Sequence, residues 1–535
     1  MDLKLNTPST CTALIVLLVA CGGAGSEAPG SPNPAPTPAG HTLTLSLAGP
    51  GTVTSTPAGI DCGADCSESL AQGSSLTLTA TPAGGATFIG WSGAGGACSG
   101  SGPCTLVVNA SQTVSAEFSA APPSGGTYDC AAANVLCVAQ TAGANQEYPT
   151  IQLAAAAAKP GDVVLVHAGN YAGFTVSTSG SLAQPIQFIA AGTDVIIGSG
   201  GTTENDGVHL RSASHIRIEG FSIRNDAANS PRIHRCIAAR GATATQPMRG
   251  NVLRNNRCVG AMAEGFYLSQ FADGLIEANA ISGSGTNGQP RAHGVYLANA
   301  GSNATTIRGN TIFGNANVES NGIHANGDIS VGGSGLIRGL VVEGNVIHGN
   351  GQSGINLDGV QDSRFQNNLI HANARHAIRA YMIDGAGGPT NLHLINNTLV
   401  ATGGWAVKLS EDGGGHVIFN NLLYGSAGSL SVGSNNLASN NNLVGGSFSN
   451  DNEASTIALA IWRARTGQDA ASQLGTQGTV FSNAAASDYR LAAGSPARDK
   501  GLATFGGIAA PPKDIAGASR IQGPAIDVGA FESAP

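Results

Sequence analysis

The stretch His293-Gly-Val-Tyr-Leu is one of eight related pentads that recur through residues 206–425. The second position of each pentad is small, the third and fifth are apolar, and the spacing between pentads is nearly constant. Repeated strand-like segments of this kind predict a stacked solenoid rather than a closed globule. The pentads begin at Asp206, Arg235, Glu264, His293, Asn321, Ser353, His376 and Trp405.

A second repeat, built around an asparagine, alternates with the pentads. Asparagine side chains stacked at the same turn of successive coils can hydrogen-bond the backbone and one another. These residues therefore predict a structural ladder and indicate no chemistry. They are Asn256, Asn279, Asn310, Asn345, Asn368, Asn397 and Asn421.

Within a pentad, side chains alternate between the two faces of the strand. The third and fifth residues, such as Val295 and Leu297, are predicted to fill the core, so the fourth and sixth point outward. The first residue stands where the strand begins and need not be buried. Because parallel coils stack about 4.8 Å apart, every outward position becomes a column along the solenoid.

Composition supports a turn-rich β-protein and limits its partners. The 535 residues include 77 glycines, and only 11% of the residues are charged. A net charge of −8 argues against nucleic acid as a partner, because phosphate neutralisation needs a concentrated basic surface. An anionic substrate remains compatible, since a local row of cations is enough to hold it.

The N-terminus is predicted to carry an export signal. The apolar run within residues 1–20 is too short to cross a bilayer, and Leu18-Val-Ala-Cys21 resembles a bacterial lipobox. The resemblance implies cleavage before Cys21, acylation of its sulfur and attachment to the outer membrane. An ordinary secretory signal with an incidental cysteine is the alternative. Residues 21–41, rich in Gly, Pro, Ala and Ser, are expected to form a flexible tether.

Eight cysteines remain after Cys11 and Cys21 are set aside, an even number suited to an oxidising compartment. No pair has the spacing and histidine context of a zinc site, so structural disulfides are favoured. The spacing suggests the pairs Cys62–Cys66, Cys98–Cys104, Cys130–Cys137 and Cys236–Cys258.

Residues 42–119 are predicted to form a small all-β module, followed by a linker at residues 120–126. Thr42-Leu-Thr-Leu-Ser-Leu and Ser75-Leu-Thr-Leu-Thr-Ala alternate apolar and polar residues. Phe88-Ile-Gly-Trp-Ser-Gly and the cysteine pair that follows it resemble the B-repeats of internalins. The resemblance implies a spacer or adhesive module, in which Trp91 is expected in the core rather than on a sugar-binding surface.

Residues 127–425 are predicted to form the solenoid itself. Thr150 can cap an alanine-rich helix that Pro160-Gly161 ends, and strand-like runs such as Val163-Val-Leu-Val follow. This opening resembles the N-terminal cap and first coils of the pectin-lyase-like right-handed parallel β-helix. The resemblance implies an all-β fold and is strongest to the branch that includes polysaccharide lyases cleaving alginate, chondroitin and pectate.

Residues 426–535 are predicted to form a C-terminal extension and cap. The repeat gives way to Ser, Gly and Asn, and residues 456–465 have the apolar spacing of a short helix. The tail resembles the terminal segment of secreted bacterial β-helix proteins, which implies a cap and no activity of its own. The residues expected to serve as capping and ion-pairing groups are Asp514, Arg520, Asp527 and Glu532.

Chemistry is expected on the outward columns, over rungs that span about 19 Å. In uronate β-elimination, amide or guanidinium groups neutralise the carboxylate, a base removes the C5 proton, and a phenol protonates the leaving oxygen. Asn356 and Arg379 are predicted to neutralise the uronate carboxylate. Tyr296 is predicted as the acid, with His324 or Lys408 as the base. The neighbouring residues predicted to bind substrate are His293, Asn326, Asp358, His376, Tyr381 and Trp405.

Several motifs of related enzymes are absent from the sequence. It lacks the Lys-Ser motif of lyases near alginate and chondroitin cleavage and the Asp-Asp and Gly-His-Gly of β-helical polygalacturonases. The Asp-Pro-His-Asp of mannuronan epimerases is absent as well. Asp328, Asp358 and Asp362 come nearest to the clustered aspartates of Ca²⁺-dependent pectate lyases and are expected to serve turns instead. No cofactor or metal is predicted.

Two functional classes fit the sequence, apart from a solvated sheet face that binds nothing. The first is an extracytoplasmic polysaccharide lyase or related uronan-modifying enzyme, expected to be a monomer. The second is a non-catalytic surface adhesin or glycan-binding protein, for which the tether and the N-terminal module are equally natural. A deep groove walled by residues 282–291, 328–336 and 383–390 favours the first class, and a flat row of splayed side chains favours the second.

Overall fold

The computed structural model describes most of the chain from residue 40 onward. The described residues are 40–48, 51–62, 65–82, 87–93, 98, 103–119, 128–141, 147–225, 230–288 and 290–534. The predicted signal peptide, Cys21, nearly all of the tether and the linker at 120–126 lie outside them. Within the described part of the chain, no helix is long and apolar enough to span a bilayer.

The main domain is a stack of coils in which three parallel sheets run side by side. Each coil adds a strand to every sheet, and that strand pairs in parallel with its counterpart in the next coil. We call the sheets 1, 2 and 3 in the order in which the chain visits them. Sheet 3 carries the repeated pentads.

The strand bounds of the three sheets are as follows. The 13 strands of sheet 1 are Val135–Val138, Val163–Val166, Ile186–Ala190, Ile216–Glu219, Val252–Arg254, Leu275–Glu277, Thr306–Arg308, Ile337–Arg338, Val341–Glu343, Val360–Gln366, Thr390–Ile395, His416–Phe419 and Leu437–Asn440. The 12 strands of sheet 2 are Gly169–Ala172, Val195–Ser199, Ser222–Arg224, Arg257–Val259, Ala280–Ser282, Thr311–Phe313, Val346–His348, Leu369–Asn373, Thr398–Ala401, Leu422–Gly425, Leu443–Val444 and Gln473–Leu474. The 11 strands of sheet 3 are Phe174–Val176, Val208–Arg211, Ile237–Arg240, Phe266–Ser269, Val295–Ala298, Ile323–Asn326, Ile355–Asp358, Ile378–Tyr381, Trp405–Leu409, Gly428–Val432 and Phe448–Ser449. A two-stranded sheet beside the stack joins Met248–Arg249 and Phe271–Ala272.

One continuous apolar core fills the stack. The third and fifth pentad residues, for example Val295 and Leu297, are fully buried, and they belong to a cluster that extends from the first coil to the last. The predicted core positions are confirmed, whereas several fourth and sixth positions, such as Asn356 and Asp358, are also buried, on the opposite face of the strand. Burial of successive Val, Ile and Leu side chains is the main stabilising contribution, at roughly 25 cal/mol per Å² of apolar surface removed from water.

The asparagine ladder is confirmed and is longer than the sequence repeat suggested. The Asn310 Nδ2 group donates to Asn345 Oδ1 at 3.0 Å, and the same link repeats from Asn256 as far as Asn442. A second ladder, which the sequence reading missed, joins Asn315, Asn350 and Asn373 at 2.8 Å per link. These amides satisfy backbone groups at turns that the neighbouring coils bury.

Each residue before a ladder asparagine has a positive φ, because the chain turns sharply from sheet 1 to sheet 2 there. Asn367 has φ 55° and Asn420 has φ 58°, while Gly309 and Gly344 hold the same place with φ 63°. Asparagine and glycine tolerate this left-handed conformation better than other residues. The local turn chemistry therefore explains the Asn-Asn and Gly-Asn pairs in the sequence.

We expect Asn345→Ala to lower the free energy of unfolding by about 3–5 kcal/mol, since it leaves several buried polar groups unpaired. Asn345 Nδ2 donates to the carbonyl of Ile307, and Asn345 Oδ1 accepts from the backbone N–H of Asn310. Urea denaturation followed by circular dichroism measures the loss. Asn435→Ala, at an exposed asparagine outside the ladder, is the matched control and should change stability by less than about 1 kcal/mol. An equal loss in both variants contradicts the ladder's role.

A short helix closes each end of the stack. Ile151–Ala157 begins at Thr150, whose side chain accepts from the Leu153 N–H at 3.3 Å, as predicted. At the other end, Leu459–Thr466 places the fully buried Trp462 against Phe448, with ring centres 4.9 Å apart. These helices cover the open ends of the parallel stack.

The stack runs past residue 425, where the sequence reading ended it. Sheet 3 continues through Gly428–Val432 and Phe448–Ser449, with Leu430 and Phe448 fully buried. The predicted boundary is therefore about one coil too early. The last coil has few apolar residues among many Ser, Gly and Asn, so its apolar periodicity is weak in the sequence.

The C-terminal extension packs on the outside of the stack. It contains the helix Gln477–Val480, the 3₁₀ turn Ala484–Ala486 and two hairpins. Val480, Phe481 and Tyr489 cover apolar side chains of sheet 2. Arg520 and Glu532 form a buried ion pair at 3.6 Å, in line with the predicted ion-pairing role. The hairpin strands are Phe481–Asn483, Asp488–Leu491, Thr504–Phe505 and Ile508–Ala509.

The N-terminal module has two four-stranded sheets around its own core. Trp91 lies in that core with 5% of its surface exposed, as predicted. The four predicted disulfides, Cys62–Cys66, Cys98–Cys104, Cys130–Cys137 and Cys236–Cys258, are all present. The strands are Gly40–Ala48, Gly51–Thr56, Asp61–Cys62, Ser67–Ala71, Ser74–Pro82, Thr87–Gly93, Cys104–Val108 and Gln112–Ser119.

Candidate functional site

The outer face of sheet 3 brings the five predicted catalytic residues into one row. The strand register pairs Tyr296 with His324, His324 with Asn356, Asn356 with Arg379, and Arg379 with Lys408. Their side chains therefore stand on consecutive rungs, about 4.8 Å apart. The sixth-position residues Asn326, Asp358 and Tyr381 form a parallel column beside them.

Aromatic rings form a continuous cluster at the centre of this face. The rings of Tyr296 and His324 are stacked, with centres 5.0 Å apart, and the ring of Tyr267 lies edge-on to Tyr296 at 5.6 Å. The imidazole of His293 lies 4.7 Å from that of His324. A proton-accepting ring and a proton-donating ring are thus in contact on adjacent rungs.

His324 is held as a neutral imidazole. Its Nδ1 lies 3.1 Å from two groups of Asn356, the backbone carbonyl oxygen and the side-chain Nδ2. The carbonyl accepts from a protonated Nδ1 and the amide donates to an unprotonated one, so the two contacts fit opposite tautomers of the neutral ring. Burial lowers the pKa of His324 from 6.5 to about 4, which keeps the ring unprotonated at neutral pH. Such a group can accept a proton.

Tyr296 is held as a neutral phenol. Burial raises its pKa to about 12, so the hydroxyl keeps its proton at neutral pH. Asn326 Nδ2 lies 3.4 Å from the Tyr296 oxygen and orients it. The ring can therefore supply a proton to a leaving group.

Asn356, Tyr381 and Arg379 form the polar part of the site. Asn356 Nδ2 donates to the Tyr381 hydroxyl at 2.7 Å, and the Arg379 guanidinium lies over the Tyr381 ring, 4.0 Å from its centre. In the described part of the chain no carboxylate lies within ion-pair distance of Arg379. The guanidinium is thus available to a bound anion.

Two buried carboxamide oxygens in the site have no hydrogen-bond partner in the protein. They are Oδ1 of Asn326 and Oδ1 of Asn356, on side chains that are 5% and 3% exposed. A buried acceptor left unpaired costs about 1–3 kcal/mol. A ligand that donates hydroxyl hydrogen bonds would recover that free energy.

Lys408 is paired with a carboxylate and is not free to act as a base. Its ammonium forms an ion pair with Glu453, from the last coil of the stack. An ammonium is a donor without a free lone pair, so Lys408 does not act as a base while this pair is intact. Of the two predicted bases, the geometry favours His324.

From His293 to Trp405 the first pentad position is buried and hydrogen-bonded to the next coil, whereas Arg235 and Glu264 are only half-buried. His293 Nδ1 accepts from the N–H of Asn321 at 3.0 Å, and His376 Nδ1 accepts from the N–H of Trp405 at 3.0 Å. These side chains are 2–6% exposed. The sequence left the burial of this position open, and in these coils it is buried because the neighbouring coils cover the turn before each strand. His293 still contacts the site through its ring; His376 and Trp405 serve the stack.

Asp358 anchors the loop that follows the next strand of sheet 3. The carboxylate, 1% exposed, accepts backbone N–H groups of Ile383, Asp384 and Gly385 at 2.9, 2.9 and 3.1 Å. The loop at 383–390 in turn bonds the loop at 328–336 through the N–H of Ile329 and the carbonyl of Asp384. Two of the three predicted wall loops are thus joined into one structure at the edge of the site.

We expect Asp358→Ala to release this loop without unfolding the stack. Removal of the carboxylate leaves three backbone N–H groups unpaired, which should raise amide exchange at residues 383–385 by about 10- to 100-fold. Hydrogen exchange with mass spectrometry measures the change. Asp362→Ala, which loses a surface ion pair with Arg338 and a hydrogen bond from Asn391 Nδ2, is the control and should leave residues 383–385 protected. Unchanged exchange in Asp358→Ala would overturn the anchoring role.

Asp384 is a site residue that the sequence reading missed. Its Oδ2 lies 3.4 Å from Asn326 Nδ2. Burial is the main cause of the raised pKa of Tyr296 and Tyr381 and of the lowered pKa of His324; the charge of Asp384 adds to the first effect and partly offsets the second. The residue belongs to a non-repeating loop, so no column predicts its position. In the sequence, only the length of that loop indicated that it borders the site.

An ion-pair cluster bounds the N-terminal side of the aromatic rings. Arg235 and Arg240 both lie over the Tyr267 ring, 4.8 and 5.3 Å from its centre. Glu264 pairs with Arg235 at 2.8 Å, and Glu204 pairs with Arg240 at 2.7 Å. These cations are therefore neutralised within the protein.

Among the described residues, one group of three potential metal ligands lies close together. It consists of Cys130, Cys137 and His167, near the N-terminal end of the stack. The two sulfurs are joined in a disulfide, so this group is not assigned as a metal site.

Three family descriptions match parts of the chain. Residues 41–122 match "Divergent InlB B-repeat domain", which confirms the predicted resemblance of the module. Residues 317–448 match "Right handed beta helix region", and residues 168–331 match "Periplasmic copper-binding protein (NosD)". The main domain is a right-handed parallel β-helix. No curated protein matches the sequence.

Solved structures with similar chain courses have low identity to this protein. Pectate lyase Pel9A is 15% identical, with 74% of this chain and 96% of that chain covered and a TM-score of 0.48. Alginate lyase from Paenibacillus sp. str. FPU-7 is 18% identical, covering 55% and 93%, with a TM-score of 0.36. The Azotobacter vinelandii mannuronan C-5 epimerase AlgE4 A-module is 15% identical, covering 61% and 93%, with a TM-score of 0.30. These similarities assign no function to any residue of the β-helix.

Proposed function

We propose that the protein binds an acidic polysaccharide outside the cytoplasm and cleaves it by β-elimination at a uronate residue. The observation that carries the proposal is the stacked contact between the neutral imidazole of His324 and the protonated phenol of Tyr296. An unpaired guanidinium, Arg379, stands two rungs beyond the imidazole. A base, an acid and a carboxylate-binding cation are the groups that this reaction needs.

In the proposed reaction, Arg379 and Asn356 bind the uronate carboxylate, which makes the C5 proton more acidic. His324, in the tautomer that donates from Nδ1 to the Asn356 carbonyl, takes that proton at Nε2, and the C5–H electron pair forms the C4–C5 double bond as the C4–O bond breaks. Tyr296 gives its proton to the departing oxygen. One product is an unsaturated uronate, and the other carries a new hydroxyl group. The bound carboxylate adds a negative charge near His324 and so strengthens this base.

The location and attachment that we propose rest on the chain outside the β-helix. Four disulfides are typical of a protein that leaves the reducing cytoplasm. We propose acylation at Cys21 and attachment to the outer membrane, with the B-repeat-like module as a spacer between anchor and β-helix. We also propose that the protein works as a monomer.

A non-catalytic glycan-binding protein or adhesin is the second candidate, and the match of residues 41–122 to a B-repeat domain favours it. Both candidates use the same row of side chains on sheet 3. They differ in whether His324 and Tyr296 move protons. Turnover therefore separates them.

The deciding experiment incubates the protein with alginate, polygalacturonate, chondroitin and hyaluronan while ultraviolet absorbance is recorded. Elimination creates a conjugated double bond, so absorbance should rise with at least one of these polymers. A parallel binding measurement uses the same polymers. Binding without any rise in absorbance would replace the lyase with the glycan-binding protein.

A further inference from the structure

We infer that the polymer carries a carboxylate on alternate sugars rather than on every sugar. The inference rests on the proposed function, because it concerns the substrate of the same row on sheet 3. Its basis is the distribution of charge along the rungs from Tyr267 to Lys408. Successive rungs lie about 4.8 Å apart, close to the length that one pyranose residue adds to a glycan chain.

Only one rung in this stretch offers an unpaired cation. Along the fourth and sixth positions, all of which the structure describes, the cations are Arg379 and Lys408. Lys408 is neutralised by Glu453, whereas among the described residues no carboxylate lies within ion-pair distance of Arg379. A polymer with a carboxylate on every sugar would place most of its carboxylates on this face without a cation to pair with. Removing an unpaired carboxylate from water is unfavourable.

The rungs before Arg379 suit an uncharged, hydroxyl-rich sugar. Tyr267 and Tyr296 provide half-buried aromatic surface, and the carboxamide oxygen of Asn326 lacks a hydrogen-bond donor. A hydroxyl or acetamido N–H group of a neutral sugar would satisfy this acceptor. Carboxylate oxygens would not, since they only accept hydrogen bonds.

Asp384 makes a second nearby carboxylate unfavourable. Its Oδ2 lies 3.4 Å from Asn326 Nδ2, and its charge acts on Tyr296 and His324. A carboxylate on the sugar over these rungs would face the carboxylate of Asp384. Like charges at that separation repel and weaken binding.

The test compares binding of two polymer classes to the full chain at one low ionic strength, where charge effects are least screened. Hyaluronan and unsulfated chondroitin carry one carboxylate per disaccharide; polygalacturonate and polymannuronate carry one per sugar. We expect the first class to bind about three- to tenfold more tightly per site. Equal or tighter binding of the second class overturns the inference.

An isosteric variant adds an independent readout. Asp384→Asn keeps the backbone N–H that binds Asp358 and removes only the charge. It should strengthen polygalacturonate binding by about two- to fivefold more than it changes hyaluronan binding. A parallel change for both polymers, or none for either, would contradict the role of Asp384.

The outcomes also separate the inference from the proposed function. Elimination of polygalacturonate with no preference for the alternating polymers retains the lyase and removes the alternating substrate. Preferential binding of hyaluronan or chondroitin without elimination retains the alternating ligand and removes the lyase.

Discussion

Replacement of His324 by alanine should lower kcat for polysaccharide elimination by about 10²- to 10⁴-fold, the usual contribution of a general base. KM should change much less, because the guanidinium of Arg379 and the hydroxyl acceptors on the neighbouring rungs remain. Initial rates of ultraviolet absorbance at several substrate concentrations give both constants. Tyr296→Phe should also lower kcat strongly, because it removes the proton that the leaving oxygen receives.

The expected pH dependence of kcat/KM follows from the pKa of His324. Burial lowers the pKa of His324 to about 4, so the ring is neutral and able to accept a proton above that value. In free enzyme, kcat/KM should therefore fall as pH drops through about 4. The phenol of Tyr296, with its pKa raised to about 12, stays protonated up to strongly alkaline pH. A fall in kcat/KM that already begins near pH 6.5 would argue against His324 as the base.

Lys408→Met is the matched control, because Lys408 was the other predicted base and stands two rungs past Asn356. Its ammonium is paired with Glu453, so its loss should reduce kcat far less than the loss of His324. If Lys408→Met abolishes elimination and His324→Ala retains it, the assignment of the base is wrong. Both variants can be checked for folding by circular dichroism.

The sequence predicted the columns because their geometry follows from periodicity alone. Val295 and Leu297 alternate with Tyr296, and a period of two places the tyrosine on the opposite face of the strand. Stacking of equal coils then brings Tyr296 beside His324 without any knowledge of loops. The Asn310–Asn345 link was predictable for the same reason.

Residues that reach the site from outside the repeat were not predictable. Asp384 belongs to a loop whose course depends on Asp358, and Glu453 reaches Lys408 from the final coil, where the apolar pattern is sparse. Burial of the first pentad position was also missed. Strand alternation says nothing about the turn before a strand, so the backbone-accepting role of His376 appears only in three dimensions.

Acidification from neutral pH should destabilise the folded protein through its buried histidines. Burial lowers the pKa of eight described histidines, and for His324, His371, His376 and His393 it brings the pKa from 6.5 to about 4. Between these values the unfolded chain binds protons that the folded protein does not. Stability therefore falls as pH drops from about 6.5 towards 4. Glu532 has the opposite effect on stability, because burial raises its pKa to about 7 and the folded protein binds a proton there that the unfolded chain does not. It is a single group against several histidines.

The expected loss in the free energy of unfolding between about pH 7.5 and about pH 4.5 is on the order of 3–6 kcal/mol, after allowance for solvent screening of the less buried rings. Urea denaturation at the two pH values measures it. His376→Asn isolates one contributor, because Asn321 holds the equivalent place in the same column and accepts a backbone N–H through its Oδ1. This variant should keep the hydrogen bond to Trp405, remain as stable as the parent at neutral pH, and lose about 1–3 kcal/mol less on acidification. An acid loss identical to the parent's would show that His376 does not drive the pH dependence, and the ladder histidines would then be structural acceptors whose protonation the stack tolerates.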